Sequence, residues 1–199
     1  MARVVGLDLG SYSVKAVVFE TSMRGYVVRD FFSVPRPQEG ERAETLKQAL
    51  AALQAAHPIV ADSVVVALPG PLLATHSLSL PFTDAKRLEA ALPFEVEAQL
   101  PFDLDEAVYD YQVAGVKDKK SELIVGVIRK PELNSLIETL VESRIEPRVI
   151  THPAVAYQSL LINHPALFGT APGAQPAAEA HVAIIDIGHE RTSIAIGRA

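Results

Sequence analysis

A chain of 199 residues that is 49% hydrophobic and 21% charged has the apolar content for a sizeable core and the length for one domain or two small ones. Its net charge of −6, without any dense Lys/Arg run, argues against nucleic acid as a partner. The absence of cysteine excludes disulfides and thiolate metal sites, and fits a reducing compartment, with the cytoplasm as the expected location.

Met1 to Asp8 shows neither a signal-peptide core nor the ~20 apolar residues of a membrane span, so this segment is expected to stay in the mature protein. Val4 to Leu9 is an apolar run closed by Gly10. Val14 to Phe19 follows a Gly-Ser-Tyr-Ser turn, and together the runs predict a tight β-hairpin. Tyr26 to Val34, bounded by Gly25 and Pro35, predicts a third antiparallel strand. Glu44 to Gln54 sets Leu46, Leu50 and Leu53 on one face among good helix formers, which predicts an amphipathic helix covering a sheet. Ser63 to Leu68 is Val-rich and closes at Pro69-Gly70, a strand and a turn.

The pattern then starts afresh. Leu73 to Leu80 reads as strand, Asp84 to Gln99 as helix, Val108 to Val116 and Glu122 to Ile128 as strands, and Pro131 to Ser143 as helix, with Pro131 suited to a first turn. Leu88, Leu92, Val96 and Leu100 form an apolar stripe, and Glu89, Glu95 and Glu97 lie off it as a solvated acidic surface. Leu-Pro-Phe units begin at Leu80, Leu92 and Leu100, and Pro93 is expected to kink or break the helix. Prolines beside Phe82, Phe94 and Phe102 suit a rigid peptide-docking groove, and core packing explains the same residues equally well.

Arg148 to Ile150 resumes as strand and Ala154 to Ile162 as helix. His164 to Ala180, rich in Ala, Pro and Gly, reads as a mobile loop. His181 to Asp186 and Thr192 to Ile196 form a last hairpin, and the ending at Ile196-Gly197-Arg198-Ala199 predicts a fold that continues past Ala199.

This last hairpin echoes the first. Gly6-Leu7-Asp8-Leu9-Gly10-Ser11 and Ile184-Ile185-Asp186-Ile187-Gly188-His189 each put a carboxylate at the end of an apolar strand and a glycine in the following turn. Glycine admits backbone N–H groups close to a phosphate, and a strand-end aspartate can hold a Mg²⁺-bound water. Two such turns facing each other would clamp a nucleotide's phosphates, with Ser11 and Thr192 as hydroxyl donors. Taken singly, Asp-x-Gly is ordinary turn chemistry.

With these turns the chain resembles the actin, Hsp70 and sugar-kinase superfamily. Asp8 to Ser11 is similar to its first phosphate motif and Asp186 to Thr192 to its second. Within it, the chain resembles the type IV pilus assembly PilM and type II secretion GspL cytoplasmic-domain family. Gly10 to Lys15, Leu80-Pro81-Phe82, Glu95 to Phe102 and Asp110-Tyr111 carry that likeness. The resemblance implies an α/β, actin-like (ribonuclease H-like) fold, a mixed β-sheet flanked by helices with an FtsA-like α+β insert. Residues 1–71 with 149–180 would be subdomain 1A, 72–148 the insert, and 181–199 the start of a second subdomain.

The resemblance further implies a scaffold or adaptor at the inner face of the bacterial inner membrane. Its partners would be the N-terminal domain of a GspE-like ATPase or a PilN-like cytoplasmic tail, with a homodimer left open. ATP with Mg²⁺ is implied for the full-length protein, through Asp8, Gly10, Ser11, Lys15, Asp186, Gly188 and Thr192. The superfamily's adenosine motif belongs to the second half of the fold, so residues 1–199 alone are expected to hold nucleotide poorly. Lys15 has apolar strand neighbours, so it reads either as a phosphate ligand or as part of a solvated face.

Thr151-His152-Pro153-Ala154-Val155-Ala156 resembles the Asn-Glu-Pro-x-x-Ala run of Hsp70 proteins, with His152 where the carboxylate that orients the attacking water is expected. A neutral imidazole can accept a proton, so His152 reads as a slow base or as a helix-start residue. No catalytic residue is assigned, and the chain is read as no fast enzyme. An ATPase or small-molecule kinase of the same superfamily is the alternative. An FtsA-like filament former would further need a membrane-targeting tail. His57, His76, His164, His181 and His189 show no metal-site spacing, so no metal is expected apart from Mg²⁺ travelling with nucleotide.

Overall fold

The computed structural model of the chain describes residues 1–164 and 181–198, so the loop expected after His164 lies, from residue 165, outside the described residues. The elements run β1 (Ala2–Leu9), β2 (Ser13–Ser22), β3 (Gly25–Pro35), α1 (Arg42–Ala56), β4 (Ser63–Ala67), β5 (Ala74–Leu80), α2 (Ala85–Glu97), β6 (Ala107–Lys117), β7 (Lys120–Arg129), α3 (Lys130–Glu142), β8 (Val149–Thr151), α4 (Pro153–Asn163), β9 (His181–Ile187) and β10 (Thr192–Arg198). They fall into two compact units, Met1–Gly70 with Glu138–Ala199, and Pro71–Ile137.

The first unit holds a five-stranded sheet in the order β3-β2-β1-β4-β8. β1 to β3 pair antiparallel, while β4 runs parallel to β1 and β8 parallel to β4. Strand alternation buries Val5, Leu7, Leu9, Val14, Ala16 and Val18 on one face, where Leu46, Leu50 and Leu53 of α1 are also buried. Each such leucine contributes about 1.5–3 kcal/mol on leaving water. β9 and β10 form a separate antiparallel ribbon.

The second unit is a three-stranded antiparallel sheet, β5-β7-β6, with α2. Leu88, Leu92 and Val96 of α2 join Leu80, Leu123, Val125 and Val127 in its core, as the apolar stripe predicts. Asp84 caps α2, its Oδ1 accepting the Arg87 N–H at 3.1 Å. The break expected at Pro93 does not occur: α2 runs through it to Glu97. Buried Leu92 and Val96 on either side hold the turn in place despite the lost N–H.

The insert read as 72–148 closes at Ile137 in the compact unit, inside α3. The end of α3 is tied to α1 instead. Glu142 pairs with Lys47 at 2.6 Å, and the Ser143 and Arg144 carbonyls accept from Gln54 at 3.2 and 3.1 Å. Among the described residues no helix is long and apolar enough to cross a membrane.

Candidate functional site

The two Asp-x-Gly turns share one construction. Leu9 pairs with Val14 and Ile187 with Thr192, so each turn spans the same length between strands. A Cβ on Gly10 would meet the Ser13 carbonyl oxygen at 2.6 Å, and one on Gly188 the Arg191 carbonyl oxygen at 2.9 Å. Both glycines are therefore required by the turn's own backbone. Gly188 N–H also donates to the Arg191 carbonyl at 2.8 Å.

Register decides which predicted residues come together. Lys15 stands opposite Asp8, and its Nζ donates to Asp8 Oδ2 at 3.0 Å. Thr192 matches Val14 in register, while the position of Ser11 is taken by His189. Directly opposed residues share a face and neighbours alternate, which puts Thr192 with exposed Ile185, Ile187 and Ile194. Asp186 lies on the other face with Ser193.

Side chains after β3 hold the first turn. Arg36 Nη1 donates to the Gly10 carbonyl at 3.3 Å, its Nε donates to Thr45 Oγ1 at 3.0 Å, and its backbone N–H donates to the Tyr12 carbonyl at 2.8 Å. Gln38 Nε2 donates to the Ser11 carbonyl at 3.3 Å. Burial, followed by the nearby charge of Arg42, lowers the Arg36 pKa.

The two turns meet. The Tyr12 and His189 rings lie 5.3 Å apart, and Arg42 pairs with Glu190 at 3.0 Å. Tyr157 on α4 donates its hydroxyl proton to Asp186 Oδ2 at 2.6 Å. Burial, the Asp186 bond and charge, and the charge of Asp8 all raise its pKa well above the usual phenol range. One neutral phenol thus feels both strand-end carboxylates. Sequence reading missed Tyr157 because nothing in its local pattern separates it from a helix-packing aromatic.

His152 is the N-cap of α4: its Nδ1 accepts the Ala154 N–H at 3.1 Å, and Pro153 follows at the first helical position. Partial burial lowers its pKa, favouring the neutral ring that can accept this bond. The helix-start reading of His152 is the one the geometry carries.

In donor type the site fits a Mg²⁺-bound polyphosphate. Asp8 and Asp186 would hold metal-bound water, and Lys15 would meet phosphate charge. Mg²⁺ bound there would neutralise phosphate charge. Among the described residues, no grouping of three or more His, Asp or Glu side chains is placed to hold a metal ion.

A sequence model of the family described as type IV pilus assembly protein PilM matches residues 6–199. The chain belongs to that family. Among solved structures, this PilM-family chain is similar to the PilM–PilN type IV pilus biogenesis complex, at TM-score 0.76 and 21% identity, covering 98% of this chain and 58% of that one. It is also similar to the cytoplasmic domain of EpsL, an inner membrane component of the type II secretion system of Vibrio cholerae. That match has TM-score 0.59 and 14% identity and covers 99% of this chain and 71% of the other. The chain has the α/β fold of these structures, and it spans 58% of the length of the pilus-complex chain.

The second unit of this PilM-family chain gives its phenylalanines different roles. Phe82 and Phe102 pack against the core of the second unit, and Arg129 lies 4.9 Å over the Phe102 ring. Phe94 is 73% exposed.

Proposed function

We propose that the chain is a non-catalytic adaptor in a bacterial inner-membrane assembly platform, of the type IV pilus or type II secretion kind, linking an assembly ATPase to membrane components from the cytoplasmic face. The family match over residues 6–199 supports the assembly-platform reading. The non-catalytic part rests on His152. It stands where a hydrolase of this superfamily places a carboxylate, and its Nδ1 is engaged by its own helix.

The partner is a PilN-like cytoplasmic tail or the N-terminal domain of a GspE-like ATPase. The PilM–PilN complex among the similar structures favours the first, and the inner-membrane assignment of EpsL favours the location. Residues 181–199 open a second subdomain after subdomain 1A and the insert. The exposed face of Ile185, Ile187, Ile194 and Ile196 favours this, because an apolar ribbon face asks for cover. Mg²⁺–ATP binds weakly and is held rather than turned over.

The test is retention of a PilN-like tail and of a GspE-like N-terminal domain by the full-length protein, run beside ATP turnover. Capture of one bait without turnover supports the adaptor reading and names the machine. Steady turnover with neither bait bound sinks it.

A further inference from the structure

Tyr157 lies 29 residues before Asp186 in the chain, yet its hydroxyl holds Asp186 Oδ2 at 2.6 Å. Asp8, the other strand-end carboxylate, is held by Lys15 at 3.0 Å. Each acid therefore already has a donor from the protein itself. The same phenol sits within electrostatic reach of Asp8, and the turn tips already touch through Tyr12 and His189. A ligand held at Asp186 Oδ2 would meet this hydroxyl there.

A metal-bound water and a phenol can each place an O–H donor on the same carboxylate oxygen. We infer that Tyr157 is an internal competitor for the ligand of the second turn: its hydroxyl holds Asp186 in the nucleotide-free protein and must leave that oxygen before a Mg²⁺–polyphosphate can settle between Asp8 and Asp186. This rests on the nucleotide reading above. It makes Tyr157 the residue that keeps affinity low, with the fold intact around it. Asp186 Oδ2 already accepts from this phenol, so a new donor at that oxygen gains less.

The experiment is calorimetric titration of the full-length protein and its Tyr157→Phe variant with Mg·ATP, with thermal unfolding to establish that the variant is folded. The Phe ring keeps the packing and removes only the donor. The variant should bind about tenfold tighter, the scale of one hydrogen bond to a charged group. In the unmodified protein, the ring-carbon NMR resonance of ¹³C-labelled Tyr157 should shift on saturation.

Equal or weaker binding by the variant overturns the inference and makes Tyr157 a support for Asp186. A resonance unmoved at saturation does the same, and decides alone if the variant does not fold. Absence of binding in both proteins removes the nucleotide reading together with the inference.

Discussion

Lys15 and Asp8 face each other across the β1–β2 ladder, Nζ to Oδ2 at 3.0 Å, with 45% and 54% of their side chains in solvent. A pair this wet is screened and worth little. Lys15→Ala should change stability by no more than about 1 kcal/mol in urea unfolding. A loss above 2 kcal/mol, on the same scale, would show that Lys15 also braces the turn.

The turn glycines should be far less tolerant. Gly10→Ala forces a Cβ to 2.6 Å from a backbone oxygen and Gly188→Ala to 2.9 Å, whereas Gly6 has nothing within 4 Å of the same position. Gly10→Ala should cost about 2–3 kcal/mol, Gly188→Ala somewhat less, and Gly6→Ala about 0.5 kcal/mol or less in either direction. Equal effects at Gly6 and Gly10 would contradict the close-contact account.

His152→Ala removes the cap of α4 and should cost about 1 kcal/mol, with His152→Asn restoring most of it. Burial lowers the His152 pKa from its ordinary 6.5, so its contribution is fully present above about pH 6.5 and is lost as pH falls through the lowered folded value. Urea unfolding from pH 7.5 to 4.5 should show the wild type losing ground to His152→Asn at the acid end. Parallel curves would remove the capping role.

Pro93 occupies an interior position of α2 without an N–H to give. Pro93→Ala should therefore stabilise the protein by about 1–3 kcal/mol, read as a higher midpoint in thermal or urea unfolding. Destabilisation would mean that the pyrrolidine ring contributes packing larger than its helix cost.

The β6–β7 hairpin turns through Asp118 and Lys119, at φ of 51° and 63°. Consecutive left-handed residues are the backbone of a type I′ turn, which Asn-Gly makes with less strain. Lys119→Gly should raise stability by about 0.5–1 kcal/mol. A lowered unfolding midpoint would mean that the Lys119 side chain makes a contact worth more than the strain.

Much of this was legible in the chain. The Val64 and Val66 strand, the Leu46, Leu50 and Leu53 face of α1 and the Leu88, Leu92 and Val96 face of α2 announce themselves because burial periodicity is a property of near neighbours. The Asp8-Gly10 and Asp186-Gly188 echo was equally visible, since a strand followed by a glycine turn is written within a few residues.

The break at Pro93 does not follow, because local rules price a helix without the core that holds it. The face that Thr192 shares is fixed by cross-strand register, and Ile187 had to be seen opposite it. Tyr157, Arg36 and Gln38 could not be found from the sequence at all. Their partners Asp186, Gly10 and Ser11 lie 29, 26 and 27 residues away, and only the crossings of the sheet bring them within hydrogen-bond reach. The sequence by itself determined the elements and the paired turns. The tertiary structure alone decided which side chains occupy the space between those turns, because hydrogen bonds depend on ångström distances that chain spacing does not encode.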